Sequence, residues 1–358
     1  MINNFQVYKN RKVLVTGNTG FKGSWLCLWL IINGAKVLGI SKNIPTNPSN
    51  YKILDLKSKI SQKYIDICDY KKVSKIIKTF KPDFIFHLAA QSIVKKSFEN
   101  PLETWNTNTI GTLNILESLR NLKKKISVVI ITSDKSYKNI EISRGYKETD
   151  IFGGSDPYSA SKGASELAFS SFFRSFLKYK ENISIASARA GNVIGGGDWA
   201  LDRIIPDCVK KWVNKENVNL RNPNSTRPWQ HVLEPLSGYI KLAETLDVNK
   251  KINGDSFNFG PDLSSSYSVL DLVNEMSKYW KDAKWNNVQD SDVKIEESKL
   301  LQLNCDKSKN ILNWQPTLNF SDTVKFTAEW YLQYYKSSNE IMSITTDQIN
   351  KYMELSKE

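Results

Sequence analysis

Short apolar runs alternate with longer amphipathic stretches through the first half of the chain. Apolar runs without strict polar alternation are typical of β-strands that are buried on both faces of a sheet. The predicted strands are Lys12–Thr16, Lys36–Ile40, Tyr64–Ile67, Phe84–Leu88, Val128–Thr132 and Ser184–Ala188. Apolar residues recur at helical spacing between them, for example in Val73–Phe80 and Thr107–Leu119. The pattern therefore predicts an α/β fold with a parallel sheet between two layers of helices.

The pattern changes after Ala190, where glycine and proline cluster in two loops. Helical stretches return at Val269–Trp280 and Ser321–Tyr335 and indicate a smaller lobe. We predict that residues 1–190, together with about 229–262, form the sheet domain. Residues 191–228 and 263–340 are predicted to form a smaller mixed α/β C-terminal lobe that binds substrate. The closing residues 341–358 fit either a helix or a loose tail.

Composition narrows the class of protein. The longest apolar run, Trp25–Ile32, is far shorter than the roughly 20 residues that a membrane helix needs. The first residues lack the apolar core of a secretory signal, and the four cysteines are scattered without disulfide or metal-ligand spacing. We therefore expect a cytoplasmic protein that has neither a membrane segment nor a metal site.

The formal net charge of +13 raises the question of a nucleic-acid partner. The lysines are spread along the chain, and no basic tail, zinc-finger spacing or aromatic RNA-binding motif accompanies them. We expect no nucleic-acid partner. The excess of positive charge favours a small anionic substrate instead.

A glycine-rich turn follows the first predicted strand and leads into the apolar stretch Ser24–Ile32. Glycines between a strand and a helix allow a tight turn and the close approach of a pyrophosphate, which the helix N-terminus attracts. The turn therefore predicts a Rossmann-type dinucleotide site in a doubly wound sheet. The predicted cofactor residues are Gly17, Asn18, Thr19, Gly20, Phe21, Lys22 and Gly23, with Asp66, Ile67, Ala89 and Ala90 after later strands.

The end of the second strand bears on the choice of cofactor. NAD-binding folds often carry an acid there for the ribose 2′-hydroxyl, whereas this chain has Ser41 followed by Lys42. Because Lys42 tolerates a 2′-phosphate, these residues alone do not separate NAD from NADP. Asp66 is placed either to accept the adenine amino group or to close a turn.

A tyrosine and a lysine lie four residues apart, at Tyr158 and Lys162, which places them on one face of a helix. A phenol acts as a base near neutrality only if its pKa falls by about three units, which requires about 4 kcal/mol of preferential phenolate stabilisation. A lysine ammonium and a nicotinamide cation have the right charge to provide it. The pair therefore predicts a catalytic base and its partner.

Polar residues follow the predicted strand Val128–Thr132 in the order Ser133, Asp134 and Lys135. Ligands of open α/β sheets bind beyond the carboxyl ends of the strands, so this run is expected to face the substrate. Its carboxyl and amine groups suit a general acid and a general base. A surface ion pair between Asp134 and Lys135 is the alternative.

These features together resemble the extended short-chain dehydrogenase/reductase family of nucleotide-sugar enzymes, and several segments are most similar to its 4,6-dehydratases. The similar segments are VTGNTGFKGSWL at Val15–Leu26, LAAQSIVKKS at Leu88–Ser97, TSDKSY at Thr132–Tyr137, RAGNVIGGGDWALDRIIPD at Arg189–Asp207 and RNPNSTRPWQHVLEPL at Arg221–Leu236. The resemblance implies a nucleotide-sugar substrate, a homodimer or homotetramer, and NAD held by the turn glycines, Asp66 and Lys162. It also implies that Asn108 supports the hydrogen-bond network of the active site.

The resemblance further implies a dehydration in which Tyr158 takes the proton of the 4-hydroxyl as hydride leaves C4. The resulting ketone acidifies the proton on C5, the 6-hydroxyl leaves as water, and hydride returns to C6. Some relatives use Asp and Glu as acid and base, whereas this chain has Ser133, Asp134 and Lys135. We assign Asp134 as the acid at O6 and Lys135 as the base at C5, while a reversed or water-mediated assignment stays open.

Two substrate phosphates favour arginine side chains, so Arg203 and Arg227 in the two long segments are predicted to bind substrate. Asn192 is predicted to contact the sugar phosphate, and Gln91 and Ser92 the hexose. The remaining aromatic and histidine residues carry weaker expectations: Trp229 and Trp199 fit either a contact with the base or packing of the loop, His231 is expected to orient a neighbour, and His87 to lie in the core.

Other functions stay open at this point. A nucleotide-sugar 4-epimerase or decarboxylase on the same scaffold needs no acid and base for C5 and C6, so Asp134 and Lys135 argue against it. A dehydratase of dTDP-glucose, or of GDP-mannose with NADP, would use the same dehydration chemistry on another substrate. A regulator that has lost catalysis is disfavoured by Tyr158, Lys162 and Asn108.

Overall fold

A computed structural model of the protein describes residues 5–287 and 300–357. Its strands are β1 (Lys12–Thr16), β2 (Lys36–Ser41), β3 (Ser61–Tyr64), β4 (Phe84–His87), β5 (Ile126–Ile131), β6 (Ile183–Ala190), β7 (Val193–Ile194), β8 (Val218–Leu220), β9 (Thr226–Arg227), β10 (Gln230–His231), β11 (Ser256–Phe259), β12 (Tyr267–Ser268) and β13 (Trp285–Asn287). Its α-helices are α1 (Phe21–Ile32), α2 (Asn50–Ile53), α3 (Leu56–Lys59), α4 (Tyr70–Phe80), α5 (Val94–Glu99), α6 (Pro101–Trp105), α7 (Gly111–Leu119), α8 (Pro157–Phe172), α9 (Ile204–Val213), α10 (Leu233–Val248), α11 (Val269–Ser277), α12 (Asp306–Leu312), α13 (Phe320–Lys336) and α14 (Ile341–Leu355). Short 3-10 helices lie at Phe5–Tyr8, Asp134–Ser136, Lys250–Ile252 and Ser338–Glu340, and π-helical turns at Asn106–Ile110 and Phe173–Leu177.

Seven parallel strands form the central sheet in the order β11-β6-β5-β4-β1-β2-β3. The strand order reverses at β1, which pairs with β2 on one side and with β4 on the other. In open α/β sheets ligands bind beyond the carboxyl ends of the strands at such a reversal, which here are the ends of β1 and β4. This topology confirms the predicted Rossmann-type, doubly wound α/β fold.

Successive residues of the central strands pack into two different cores. Leu14 and Val128 belong to the core that α4 and α7 cover, whereas Val15 and Val129 belong to the core that α1 and α10 cover. Neighbouring residues of a strand point to opposite faces of the sheet, so both faces are buried under helices. This arrangement explains why the central strands lack polar alternation.

The predicted position of the third strand is wrong by three residues. The observed β3 is polar and mostly exposed, because it is the edge strand and pairs with β2 alone. The apolar residues Ile65 and Ile67, which suggested a strand, follow β3 in the chain. Ile67 is instead buried against Gly111 at the start of α7.

The closing residues form the helix α14 and are not a loose tail. The indole nitrogen of Trp330 on α13 donates to Thr345 Oγ1 at 2.9 Å, and the phenol of Tyr352 donates to Glu234 Oε2 on α10 at 2.7 Å. The ring of Tyr352 also meets that of Trp29 on α1 at 5.7 Å between centroids. The helix α14 therefore packs against three other helices.

The predicted division into two lobes stays a proposal, and the topology supports it. The segment 229–262 contains α10, which packs on β5 and β6, and β11, which joins the central sheet. The small sheets β8–β13 and β9–β12 draw their strands from the two predicted parts of the other lobe. None of the helices within the described ranges is long and apolar enough to cross a membrane.

Candidate active site

The glycine turn between β1 and α1 has the geometry that a dinucleotide requires. Gly17 has φ of +73°, and a Cβ on it would lie 2.7 Å from the backbone nitrogen of Ala89. A Cβ on Gly23 would lie 2.2 Å from the carbonyl oxygen of Gly17. Gly20 begins α1 without a side-chain cap, so the first N–H groups of the helix are available to phosphate oxygens.

The predicted cofactor residues Asn18 and Thr19 are buried beside this turn. Asn18 Nδ2 donates to Gln62 Oε1 at 2.6 Å, and Thr19 Oγ1 donates to the carbonyl oxygen of Asn43 at 2.7 Å. Asn18 Oδ1 is buried without a hydrogen-bond partner in the part of the chain that the structure describes. An orphaned acceptor of this kind fits a site that a bound group completes.

Asp66 follows β3 and closes a turn, the second of its two predicted roles. Its Oδ1 accepts the backbone N–H of Cys68 at 2.9 Å, and its Oδ2 lies 3.1 Å from Lys42 Nζ. Lys42 Nζ also lies 3.6 Å from Glu103 Oε1 on α6. Partial burial alone raises the pKa of Asp66, but the Cys68 N–H and the Lys42 ammonium hold that pKa below its usual value. The contact with adenine stays a prediction.

Asn108 joins the loop after β4 to α8. Its Oδ1 accepts the N–H of Gln91 at 2.8 Å, while its Nδ2 donates to the Gln91 carbonyl at 3.0 Å and to Ser161 Oγ at 2.9 Å. The Gln91 side chain is itself bonded within the loop, to Ile93 and Thr104. Asn108 thus fixes the predicted hexose-binding loop beside the helix of the Tyr-Lys pair.

Tyr158 and Lys162 occupy successive turns of α8, which begins with Pro157 after the capping carboxylate of Asp156. Both side chains are buried. Burial raises the pKa of Tyr158 to about 12, with Ser133 and Arg203 acting in the opposite direction. Burial lowers the pKa of Lys162 to about 8. The expected lowering of the phenol's pKa is therefore not produced by this chain's own side chains, and it requires a positive charge from a bound group.

Ser133, Asp134 and Lys135 follow β5 at the carboxyl edge of the sheet, and the 3-10 turn Asp134–Ser136, which Ser133 caps, packs against α8. Asp134 Oδ1 accepts from Ser133 Oγ and from the Lys135 N–H, each at 2.8 Å. Only 4% of Asp134 is exposed, which excludes the surface ion pair. Burial raises the pKa of Asp134 although Lys135 opposes the shift, and a raised pKa suits a general acid.

Lys22 at the start of α1 lies close enough to several charged side chains for them to shift its pKa. Burial and the nearby charge of Arg203 lower the pKa of Lys22 to about 8, while Asp134 and Asp198 act in the opposite direction. Lys22, a predicted cofactor residue, thus lies in one charged cluster with the predicted acid and a predicted substrate arginine.

The predicted substrate residues fall into two groups. Arg203 lies at the start of α9, near Tyr158, and its side chain is 38% exposed. Its Nε lies 3.6 Å from Asp198 Oδ2. Arg227 belongs to β9, and Trp229 donates from its indole nitrogen to the carbonyl of Tyr267 on β12 at 3.1 Å. Asn192 accepts the N–H of Gln230 through its carbonyl at 3.2 Å, and Ser92 is exposed.

Trp199 packs the loop, one of its two predicted roles, and a contact with the base stays untested. It is buried with its ring centroid 4.9 Å from that of Tyr334 and 6.4 Å from that of Trp330. The two histidines are buried, and burial lowers the pKa of each to about 3. His87 is a core residue as predicted, with its ring nitrogens 2.8 Å from Thr16 Oγ1 and 3.1 Å from Thr112 Oγ1.

The sequence interpretation missed a buried ion pair behind the site, between Glu166 on α8 and Arg189 on β6. Glu166 Oε1 lies 2.8 Å from Arg189 Nε, and both side chains are 1% exposed. Two signals pointed to it: Glu166 follows Lys162 by one helical turn, and Arg189 is a charged residue within an otherwise apolar and small-residue strand. No group of residues suited to holding a metal ion occurs within 5–287 and 300–357.

The helix α8 with Tyr158 and Lys162 lies at the same sheet edge as the glycine turn and the acid-base segment, Ser133–Lys135. This combination defines the class of short-chain dehydrogenase-type enzymes that act on nucleotide sugars. The chain belongs to the family described as GDP-mannose 4,6 dehydratase, whose model matches residues 14–350. It is 41% identical over 351 residues to the CDP-glucose 4,6-dehydratase of Salmonella typhimurium, and the match covers 97% of each chain.

Solved structures share the fold. The UDP-glucuronic acid 4-epimerase of Bacillus cereus, in complex with UDP-glucuronic acid and NAD, has a TM-score of 0.77 at 24% identity and is covered in full by 90% of this chain. The dTDP-glucose 4,6-dehydratase of Bacillus anthracis, in complex with NAD, has a TM-score of 0.75 at 19% identity, with 91% of this chain and 98% of that chain covered. At these identities the likeness shows the fold alone.

Proposed function

We propose that this protein removes water from CDP-D-glucose to form CDP-4-keto-6-deoxy-D-glucose, a step toward the deoxysugars of an O-antigen or capsule. The observation that carries the proposal is that Asp134 and Lys135 lie at the same sheet edge as Tyr158 and Lys162. An epimerase has no use for this acid-base segment. The near full-length relationship to a CDP-glucose 4,6-dehydratase supports the choice of nucleotide.

The glycine turn at Gly17, Gly20 and Gly23 would hold NAD, which would supply the hydride acceptor for C4 and the hydride donor for C6 of the hexose. Tyr158 takes the proton of the 4-hydroxyl, and Lys162 lies on the next turn of α8, on the same face of the helix. Tyr158 is protonated by itself, since its pKa is about 12. The positive charges that surround it in the complex therefore decide whether it acts as a base near neutral pH.

Asp134 and Lys135 carry the elimination. The ketone at C4 acidifies the C5 proton, which Lys135 removes, and Asp134 protonates O6 so that water leaves. Oδ1 of Asp134 is fixed by Ser133 and by the Lys135 N–H, which leaves Oδ2 to reach O6. The half-buried position of Lys135 supports access to the hexose.

The substrate is held by its charges. Lys22, Lys162 and Arg203 gather at the cleft against Asp134 and Asp198, and this positive excess suits a diphosphate. Arg203 and Arg227 bind the phosphates, with Asn192 beside them, and Gln91 and Ser92 contact the hexose. Trp229 stands at the nucleotide end.

NAD is favoured over NADP by the surroundings of Lys42. Two carboxylates, of Asp66 and Glu103, already neutralise this lysine at 3.1 and 3.6 Å. A 2′-phosphate would compete with them for the lysine and would meet their negative charge. Lys42, which kept NADP possible in the sequence analysis, is thus already paired with carboxylates of the protein.

Four buried or half-buried free cysteines support a cytoplasmic location. A dimer is supported by exposed apolar residues that lie along the α6–α7 and α8 layer: Leu102, Trp105, Ile110 and Leu167. These side chains would be covered in a homodimer that packs this layer against its copy.

The proposal is tested by incubating the purified protein with CDP-, dTDP-, UDP- and GDP-hexoses and identifying the products by NMR. We expect a 4-keto-6-deoxy sugar from CDP-glucose and little turnover of the others. A 4-epimer from any of them, or preferential dehydration of dTDP-glucose or GDP-mannose, would replace the proposal with the corresponding alternative.

A further inference from the structure

Three residues of α8 lie at four-residue spacing, at Tyr158, Lys162 and Glu166, and therefore share one face of the helix. The first two belong to the proposed chemistry. Glu166 is 1% exposed. Its hydrogen bonds go to Thr132, Ser187 and Arg189, none of which is a predicted substrate residue. A buried carboxylate one turn from the catalytic pair needs an explanation because burying a charge is costly unless it is paired.

Glu166 binds the strand that carries the acid-base segment. Its Oε1 accepts a short hydrogen bond from Thr132 Oγ1, and Thr132 directly precedes Ser133. Its Oε2 accepts from Ser187 Oγ at 2.8 Å and from Arg189 Nη2 at 2.9 Å on β6. Glu166 thus connects α8 to the first end of the acid-base segment, Ser133–Lys135.

Arg189 reaches the other end of the same segment. Its Nη1 donates to the phenol oxygen of Tyr137 at 2.6 Å, and Tyr137 directly follows the turn Asp134–Ser136. The guanidinium also lies over the rings of Tyr137 and Phe152, at 5.0 and 4.7 Å from their centroids. Both ends of the acid-base segment are therefore attached to one buried ion pair.

The charges of the pair are firmly retained. Burial alone raises the pKa of Glu166, but the charge and hydrogen bonds of Arg189 hold that pKa below its usual value. Burial also lowers the pKa of Lys162, and the charge of Glu166 opposes this effect. The same carboxylate therefore acts on the Tyr-Lys helix and on the acid-base segment.

We propose that Glu166 and Arg189 are positioning residues that hold the segment Ser133–Lys135 in register with Tyr158 and Lys162. The inference rests on the proposed dehydration and deepens it. Hydride transfer at C4 uses one group of the segment, Ser133, which acts on Tyr158, whereas elimination across C5 and C6 uses two, Asp134 and Lys135. Loosening the segment therefore slows elimination more than hydride transfer, since a displacement of about 1 Å in a catalytic group can cost on the order of 100-fold in rate.

The test removes one attachment at a time and leaves the ion pair in place. Thr132→Val removes the hydroxyl at the first end, and Tyr137→Phe removes the phenol oxygen at the second end. Ser187→Ala is the matched control, because it removes an equivalent hydroxyl from the same carboxylate on a strand that does not carry the segment. Each variant loses one buried hydroxyl and keeps the side-chain core.

During turnover of CDP-glucose, Thr132→Val and Tyr137→Phe should accumulate reduced cofactor, with kcat lower by about 10- to 100-fold. Their KM and their content of bound NAD should equal those of the wild type. Ser187→Ala should lower the melting temperature by a similar amount without accumulating reduced cofactor. Equal accumulation in all three variants, or in none, would show that the pair has a merely structural role.

Crystal structures of the three variants test the same inference without any turnover. We expect the Asp134 carboxylate to shift in Thr132→Val and Tyr137→Phe and to stay in place in Ser187→Ala. An unmoved carboxylate in all three would overturn the inference. Failure of the wild-type protein to dehydrate CDP-glucose would instead overturn the proposed function and leave this structural result standing.

Discussion

At the residue scale, burial sets the protonation states that the chemistry starts from. The pKa of Tyr158 is raised to about 12, that of Lys162 is lowered to about 8, and that of Asp134 is raised. Burial thus favours the neutral, protonated form of both the Tyr158 phenol and the Asp134 carboxyl. The raised pKa of Asp134 favours the protonated form that a general acid needs, and positive charge beside Tyr158 favours the loss of its proton.

Replacing Tyr158 with Phe should lower kcat by between about 100- and 10,000-fold, because the proton of the 4-hydroxyl then has no acceptor. Steady-state turnover of CDP-glucose measures the effect. Tyr179→Phe is the control, since Tyr179 is 79% exposed beyond the end of α8. Near-normal turnover by the Tyr158 variant would remove this residue from the mechanism.

Replacing Lys135 with Met should stop the reaction after hydride has left C4. Reduced cofactor should then accumulate and be visible by its near-ultraviolet absorbance on mixing with CDP-glucose. Lys138→Met is the matched control, because Lys138 is an exposed lysine just after the same segment. Normal turnover without accumulation in Lys135→Met would place the C5 base elsewhere.

At the element scale, the structure shows which features a sequence can reveal. The central strands and the glycine turn were predictable because burial on both faces and close backbone approach restrict the residues allowed there. β3 was misplaced because an edge strand needs no apolar run. The sequence left α14 open between a helix and a loose tail, because its order depends on distant partners, such as Glu234 on α10, that no local pattern reveals.

The buried Glu234, which contacts α14, should make the free energy of unfolding dependent on pH. Its carboxylate accepts from the N–H groups of Thr317 and Leu318 and from the phenol of Tyr352, yet burial raises its pKa to about 7. The protonated form is therefore preferred in the folded state. Its stabilising contribution is fully present below the ordinary pKa of a glutamate, about 4.5, and is lost as the pH rises through 7.

In Glu234→Gln this part of the pH dependence should disappear. Urea unfolding at pH 5 and pH 8 measures it, and we expect the wild type to lose up to about 3 kcal/mol more than the variant over this interval. Burial raises the pKa of Glu244 to about 7 as well, so the comparison with wild type isolates Glu234. Identical pH profiles for the two proteins would contradict this account.

At the scale of the whole molecule, a continuous packing path leads from the C-terminal helix to the loop before α9. α14 supports Trp330, which packs against the backbone of Gly196 and against Trp199 in the loop that leads to Asp198 and Arg203. The C-terminal helix is thus connected through aromatic packing to the proposed substrate loop. The proposed substrate role of Arg227 on β9 was suggested by family resemblance, and no local pattern indicates it because β9 pairs with the distant strand β12.

The exposed apolar residues on α6 and α8 lead us to predict that this surface forms the interface between subunits. A variant that combines Trp105→Arg with Leu167→Arg should be monomeric in light scattering, whereas the wild type should be a dimer or tetramer. Val248→Arg is the control, because Val248 is 83% exposed at the end of α10. A wild-type monomer, or an unchanged mass in the double variant, would exclude this interface.

The most direct test of the account follows a label through the reaction. CDP-glucose with deuterium at C4 is incubated with the protein, and the product is examined by NMR and mass spectrometry. We predict a 4-keto-6-deoxy sugar that carries the deuterium at C6, because the hydride taken from C4 is returned within the same site. A 4-epimer that keeps the label at C4, or a dehydrated product from which the label has been lost, would contradict it.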